Sequence, residues 1–296
     1  LVGVIELVWL EDAFQDRSFS QKLFLKVAIY LFIMLSIIMI TYPLANAIEE
    51  NRSVLDVEVW KKLGRYLISI NFISTLVQMA FSLFIVFFYA GIRANVGQGV
   101  LLNFFTGKYH RPVEENRIFM FLDMKSSTTI AERLGHTRYF ELLRKYYSSL
   151  SDAIIAHHGD VYQYIGDEIV ITWEYEAGLS QANCIDCFFS MKETLQKKGA
   201  DFEKAFGFLP PFKAGLQLGA VPTGEIGAQK KEIFYTGDVL NVTARIQSLC
   251  NQFQKDFLVS EELIDMLPNE LEYPTESLGK YMLKGRKESI GIVAVG

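Results

Sequence analysis

The sequence predicts an α+β sheet domain that follows two apolar helices of membrane-spanning length, and three observations carry that reading. Residues 27–48 and 66–92 contain no Asp, Glu, Lys or Arg. The 29 basic and 34 acidic residues therefore fall on the rest of the 296-residue chain, at roughly 26% of it, the usual density of soluble protein. From about residue 117 onward, β-rich runs alternate with helical patterns over about 180 residues. An apolar content of 50% and a mean hydropathy above zero are too high for a soluble chain of this length. A single globular domain, a disordered chain and a many-helix transporter are all excluded.

The first uncharged run (VAIYLFIMLSIIMITYPLANAI) and the second (YLISINFISTLVQMAFSLFIVFFYAGI) would be about 33 and 40 Å long as helices, against a hydrocarbon core of about 30 Å. Pro43 sits near the end of the first, where a kink is tolerated. Their position and length rule out a signal peptide. The chain opens at Leu1 rather than Met, which points to a fragment or processed product and leaves the number of upstream helices open. The predicted order is an N-terminal segment 1–26, a span 27–48, a loop 49–65, a span 66–92, a linker 93–116 and the sheet domain 117–296. Arg17, Lys22 and Lys26 precede the first span, Arg93, Lys108 and Arg111 follow the second, and Arg52, Lys61, Lys62 and Arg65 lie between them, so basic residues alone do not set the orientation.

Within the sheet domain, RIFMFLDM reads as a buried strand, followed by helices over SSTTIAERL and TRYFELLRKYYSSLSDAIIAHHG. The second of these carries apolar residues at three and four spacing: Phe140, Leu143, Tyr147, Leu150 and Ile154. DVYQYIG and DEIVITWEY are joined at Gly166-Asp167, a hairpin signature. A helix over about 179–206 follows, then strands in FKAGLQLGAVPTGEIG and EIFYTG, a helix in VLNVTARIQSLCNQF, the strand DFLVS, a short helix EELIDML and a closing hairpin.

The net charge of −5 provides no basic footprint for nucleic acid. Three cysteines are too few for a disulfide scaffold, and Cys184 and Cys187 form a lone C-x-x-C that reads as two small helix residues. His110, His136, His157 and His158 make no ligand cluster, and TGKY at 106–109 lacks the glycine spacing and the Ser or Thr of a phosphate-binding loop.

Two carboxylates stand out. Asp123 ends an apolar strand just before a helix starts, where free helix N–H groups lie beside it; alone, it is as good a helix cap as a ligand. Asp167 tips the hairpin, where a turn residue is the ordinary reading. If strand and hairpin are neighbours in one sheet, the two together can bridge divalent cations.

FLDMKSST, QYIGDEIVITW and GDVLNVTARIQ resemble the catalytic domain of the class III nucleotidyl cyclases, the adenylate and guanylate cyclases. The matching positions are Asp123 and Thr128, Gly166 and Asp167, then Gly237, Asp238, Leu240, Asn241 and Arg245, and a late K-G-R at Lys284, Gly285 and Arg286. The resemblance covers about 117–295, with four motifs in order.

It implies the class III fold with a ferredoxin-like βαββαβ core, and a set of roles. Asp123 and Asp167, with the backbone carbonyl of Met124, would hold two Mg²⁺ or Mn²⁺ ions per site. Asn241 would orient the ribose, Arg245 would stabilise charge at the α-phosphoryl, and Lys284 would hold the terminal phosphates; Thr128, in the same motif as Asp123, would bind substrate. In this family the two half-sites come from two domains, so a chain carrying both implies a homodimer with shared sites. The base would be read by Gln163 and by Phe234, or by Thr236 if the alignment shifts by two. An amide suits adenine, and neither guanine-type residue is present, so ATP is the expected substrate.

The resulting expectation is a cell-membrane adenylate cyclase with residues 1–26 and the catalytic domain in the cytoplasm, embedded in the lipid bilayer and not binding nucleic acid. A guanylate cyclase, and an inactive cyclase-like dimerisation module of a membrane sensor, are the alternatives. An ion channel is disfavoured, because the spans contain no ionisable residue.

Overall fold

The computed structural model describes residues 18–96, 103, 106–229, 231–267, 271–282 and 289–296. The chain divides into two compact units, Leu1–Leu101 and Leu102–Gly296.

The first unit holds three helices, α1 (Phe19–Glu49), α2 (Val57–Ile68) and α3 (Ile70–Val96). Both α1 and α3 are long and apolar enough to cross a membrane, and they expose large side chains such as Phe24, Phe32, Ile40, Phe81 and Val86. The segment read as a loop contains α2. Asp56 caps it by accepting from the Glu58 N–H at 2.9 Å, and Val59 and Leu63, one turn apart, bury its apolar stripe. The second uncharged run is therefore not one helix from residue 66. The chain leaves the helix at Ser69, whose backbone is extended and whose hydroxyl donates to the Tyr66 carbonyl at 2.6 Å. An uncharged sequence carries no sign of such a break.

The second unit is built on one sheet in the order β2-β3-β1-β4-β6-β8-β7, with β5 paired to β4. Its strands are β1 (Val113–Met124), β2 (Asp160–Ile165), β3 (Glu168–Glu174), β4 (Phe212–Ile226), β5 (Glu232–Tyr235), β6 (Phe257–Ser260), β7 (Thr275–Met282) and β8 (Ser289–Val295). The helices are α4 (Ser127–Leu134), α5 (His136–Ala156), α6 (Tyr175–Leu179), α7 (Asn183–Lys197), α8 (Gly199–Phe206), α9 (Asp238–Phe253) and α10 (Glu261–Met266). This is the α+β domain expected from the alternating pattern. β1 runs antiparallel between β3 and β4 and is buried on both faces, which accounts for the unbroken apolar run IFMFL.

One face of the sheet packs Ile118, Met120, Leu122 and Met124 against Leu142, Tyr146 and Leu150 of α5 and Phe188 and Met191 of α7. The other face carries Phe119, Phe121, Val170 and Tyr235 together with Val239 of α9. α9 lies so close to β4 that a Cβ added at Gly215 would collide with the backbone of Gln247.

Two local expectations are corrected. The helix expected over 179–206 is broken at Gln181 and Ala182, which take left-handed backbone angles, and again between α7 and α8. The buried face of α5 is Leu142, Tyr146, Ser149, Leu150, Ala153 and Ile154, while Phe140 is exposed. Of the apolar stripe read from the sequence, Leu150 and Ile154 lie on that face and Leu143 and Tyr147 pack against the core, so Phe140 alone of the five is misplaced; Tyr147 also reaches the β2–β3 hairpin.

Candidate active site

Three strands deliver their polar residues to one end of the sheet. Asp123, one residue from the end of β1, stands opposite Glu168 of β3 and Lys213 of β4, so three charged side chains share one row and one face. Lys213 is buried, and its Nζ lies 3.3 Å from Asp123 Oδ2 and 3.2 Å from Asn251 Oδ1. Gln247 of α9 donates to the same Asp123 oxygen from Nε2 at 3.1 Å. Two donors thus orient the carboxylate.

Asp167 follows Gly166, whose φ of +65° makes the tight turn between β2 and β3. The Tyr147 hydroxyl donates to the Gly166 carbonyl, and the Tyr147 ring packs 4.6 Å from Tyr164, so the hairpin is braced against α5. Burial raises the pKa of Asp167, as does its hydrogen-bonding contact with Asp123; the Ser127 hydroxyl pulls the other way. Glu168 is pushed up to about 7, first by burial and then by the two aspartates, with Lys213 opposing. Burial and the nearby Asp167 also raise the pKa of Tyr147.

The expected pair, Asp123 and Asp167, is therefore brought together, and Oδ2 of Asp167 is buried with no hydrogen-bond partner. That orphaned oxygen fits a cation ligand. Among the described residues no group of three or more His, Cys, Asp or Glu side chains forms a ready metal cage. Two carboxylates suit Mg²⁺, which takes few protein ligands and completes its shell with water and phosphate oxygens. Met124 ends β1, its side chain buried in the core.

Thr128 is exposed on the first turn of α4, and it is its neighbour Ser127 that meets Asp167. Asn241 is exposed on α9 and Arg245 lies one turn on, half-buried, with Nη1 unpartnered. Within the chain neither pairs with Asp123 or Asp167 among the described residues; it is Gln247 of their helix that does. Gln163 is exposed on β2. Phe234 and Thr236 flank the buried Tyr235 and are both exposed, so either is open to a ligand. Lys284 lies outside the described residues.

Sequence reasoning missed Lys213, Gln247, Glu168, Ser127 and Tyr147. Lys213 had a signal, as the one charge in the apolar strand FKAGLQLG. The others depend on register and on helix rotation.

Residues 110–294 match the family described as the adenylate and guanylate cyclase catalytic domain. The chain is 34% identical over 210 residues to adenylate cyclase 2 of Rhizobium meliloti (strain 1021), a stretch covering 71% of this chain and 58% of that relative. The chain therefore spans little more than half of that relative's length. A bacterial light-regulated adenylyl cyclase superposes with a TM-score of 0.62 at 19% identity, over 77% of this chain and 67% of that one. The guanylyl cyclase Cya2 superposes with a TM-score of 0.54 at 18% identity, over 62% of this chain and 93% of that one. With the family match spanning more than half the chain, this chain belongs to the adenylate and guanylate cyclase family.

Proposed function

We propose that the chain is a membrane-bound adenylate cyclase that converts ATP to 3′,5′-cyclic AMP and pyrophosphate at sites shared by two copies. The observation that carries this reading is the pairing of Asp123 with Asp167, whose buried Oδ2 has no hydrogen-bond partner among the described residues. Asp123 and Asp167 would hold two Mg²⁺ or Mn²⁺ ions per site, and the Met124 carbonyl is the further ligand the family resemblance supplies. Bound there, the metal lowers the pKa of the ribose 3′-hydroxyl and neutralises charge on the triphosphate.

The protein's own groups would do the rest. Gln247 and Lys213 hold the Asp123 carboxylate in one orientation. Lys213, buried beside it, would also offset the charge of the phosphates. Asn241 and Arg245 do not reach their own chain's aspartates, which supports a second copy supplying them: Asn241 to the ribose and Arg245 to the α-phosphoryl. Lys284 would take the terminal phosphates, and Thr128 lines the same end of the sheet.

ATP rather than GTP is supported by Gln163, whose amide can both donate to and accept from adenine, and by the similarity to adenylate cyclase 2. The exposed apolar faces of α1 and α3 support insertion in the cell membrane, with the sheet domain on the cytoplasmic side where ATP and Mg²⁺ are found.

The test is to offer the purified full chain ATP and GTP, each with Mg²⁺ or Mn²⁺, and to measure cyclic product. Cyclic AMP in excess of cyclic GMP is expected. Excess cyclic GMP would make the chain a guanylate cyclase, and no cyclic product from either nucleotide would overturn the enzymatic reading.

A further inference from the structure

We infer that Tyr162, a residue outside the family motifs, is a positioning residue that sets the shape of the purine pocket by tying the strand of Gln163 to the strand of Phe234. The inference rests on the site being one that binds nucleotide, as proposed above.

The two strands have no ladder between them. β2 is the outer strand of the sheet, β5 pairs with β4, and β3 and β1 stand in between. Gln163 and residues 234–236 are thus joined by backbone hydrogen bonds only indirectly, through β3, β1 and β4, and the direct contact between their strands is made by side chains across the sheet face.

β2 carries a bulge at this point. Val161 stands opposite Ile171 and Gln163 opposite Val170, so Tyr162 is the extra residue. The Tyr162 ring joins the cluster of Phe119, Phe121, Val170 and Tyr235 on the face opposite Val161, and the bulge keeps Gln163, paired with Val170, on that same face instead of alternating away. The ring meets Tyr235 edge to face, with centroids 4.9 Å apart and planes at 76°. Burial raises the pKa of the Tyr162 hydroxyl, and the Tyr235 backbone beside it opposes that rise.

Tyr235 is itself held on two further sides. Phe119 packs edge-on at 5.4 Å, and the Arg117 guanidinium lies 5.0 Å over the ring. Arg117 is buried and bonded through Nε to Thr172 Oγ1 at 3.0 Å. Phe234 and Thr236 flank this ring in the chain, on a strand held to β4 by its ladder and by the Thr236 N–H donating to the Pro222 carbonyl at 3.0 Å. Tyr162 thus acts as a rigid spacer between the two sides of the pocket. A purine pocket that shifts by a few tenths of an ångström changes which base it hydrogen-bonds best.

The experiment compares the full chain in detergent with Tyr162→Phe and Tyr162→Leu, titrating each with 3′-deoxy-ATP and 3′-deoxy-GTP in Mg²⁺; these analogues cannot be cyclised. Tyr162→Phe keeps the ring and loses the hydroxyl that lies beside the Tyr235 backbone, and the ATP-to-GTP affinity ratio is expected to change about threefold. Tyr162→Leu loses the spacer, and about a tenfold change is expected. A purely structural role would weaken both analogues by one common factor, and an unchanged ratio in the isosteric Tyr162→Phe chain overturns the inference. Failure of the cyclase reading is separately visible: the wild-type chain would bind both analogues yet release no cyclic product from ATP or GTP.

Discussion

The Lys213 ammonium stands 3.3 Å from Oδ2 of Asp123, directly across from it in the β1–β4 register. A buried lysine beside the aspartate expected to hold metal is placed to orient that carboxylate, and in the proposed site it would also offset phosphate charge. Lys213→Met should lower kcat/KM for ATP by about a hundredfold, in line with loss of a buried charge partner, while Lys213→Arg should retain more activity. Steady-state kinetics on the three chains check this, and near-wild-type activity in Lys213→Met would remove Lys213 from the site.

Asp123 and Asp167 meet as two acidic groups with one buried oxygen unsatisfied, an arrangement that a cation would relieve. Asp123→Ala and Asp167→Ala should abolish cyclase activity and leave the circular-dichroism spectrum unchanged. The wild-type chain should also gain thermal stability from Mn²⁺ with a non-cyclisable ATP analogue, a gain that both variants lose. A variant that keeps both the activity and the metal-dependent shift would show that its aspartate is not a ligand.

Because Arg245 makes no ion pair with Asp123 or Asp167 among the described residues, and the proposed sites are shared by two copies, lesions in the two half-sites should complement. Equal mixtures of Asp123→Ala and Arg245→Ala chains should regain roughly a quarter of wild-type activity, since half the dimers are mixed and each of those has one intact site. Mixed dimers verified by two affinity tags and found silent would exclude shared sites.

α9 is held against β4 where Gly215 leaves no room for a side chain. Gly215→Ala should destabilise the sheet domain by about 1–3 kcal/mol, through displacement of the helix that carries Asn241, Gln247 and Arg245. Urea unfolding of the full chain measures this, and a midpoint equal to wild type would mean that the helix yields without cost.

Much of this protein was legible before folding was considered. The uncharged runs, the apolar strand ending at Asp123, the Gly166-Asp167 turn and the helix of Asn241 and Arg245 are each local patterns, set by composition and by the periods of helix and strand. The break at Ser69 left no such trace, because apolar residues continue on both sides of it and the deciding hydrogen bond is made by a single hydroxyl. Phe140 of α5 was misplaced for a related reason: aromatic residues line the edge of its buried face as well as the centre, and only packing against the sheet shows that Tyr146 is buried and Phe140 exposed.

By itself the sequence determined the alternation of elements and the identity of the two carboxylates, since both follow from spacing along one chain. Only the tertiary structure decided that Asp123 meets Asp167, that Lys213 and Gln247 hold it, and that Tyr162 reaches Tyr235. Those contacts join residues tens of positions apart, and strand register, a bulge and the rotation of one helix choose among partners that the linear order leaves equivalent.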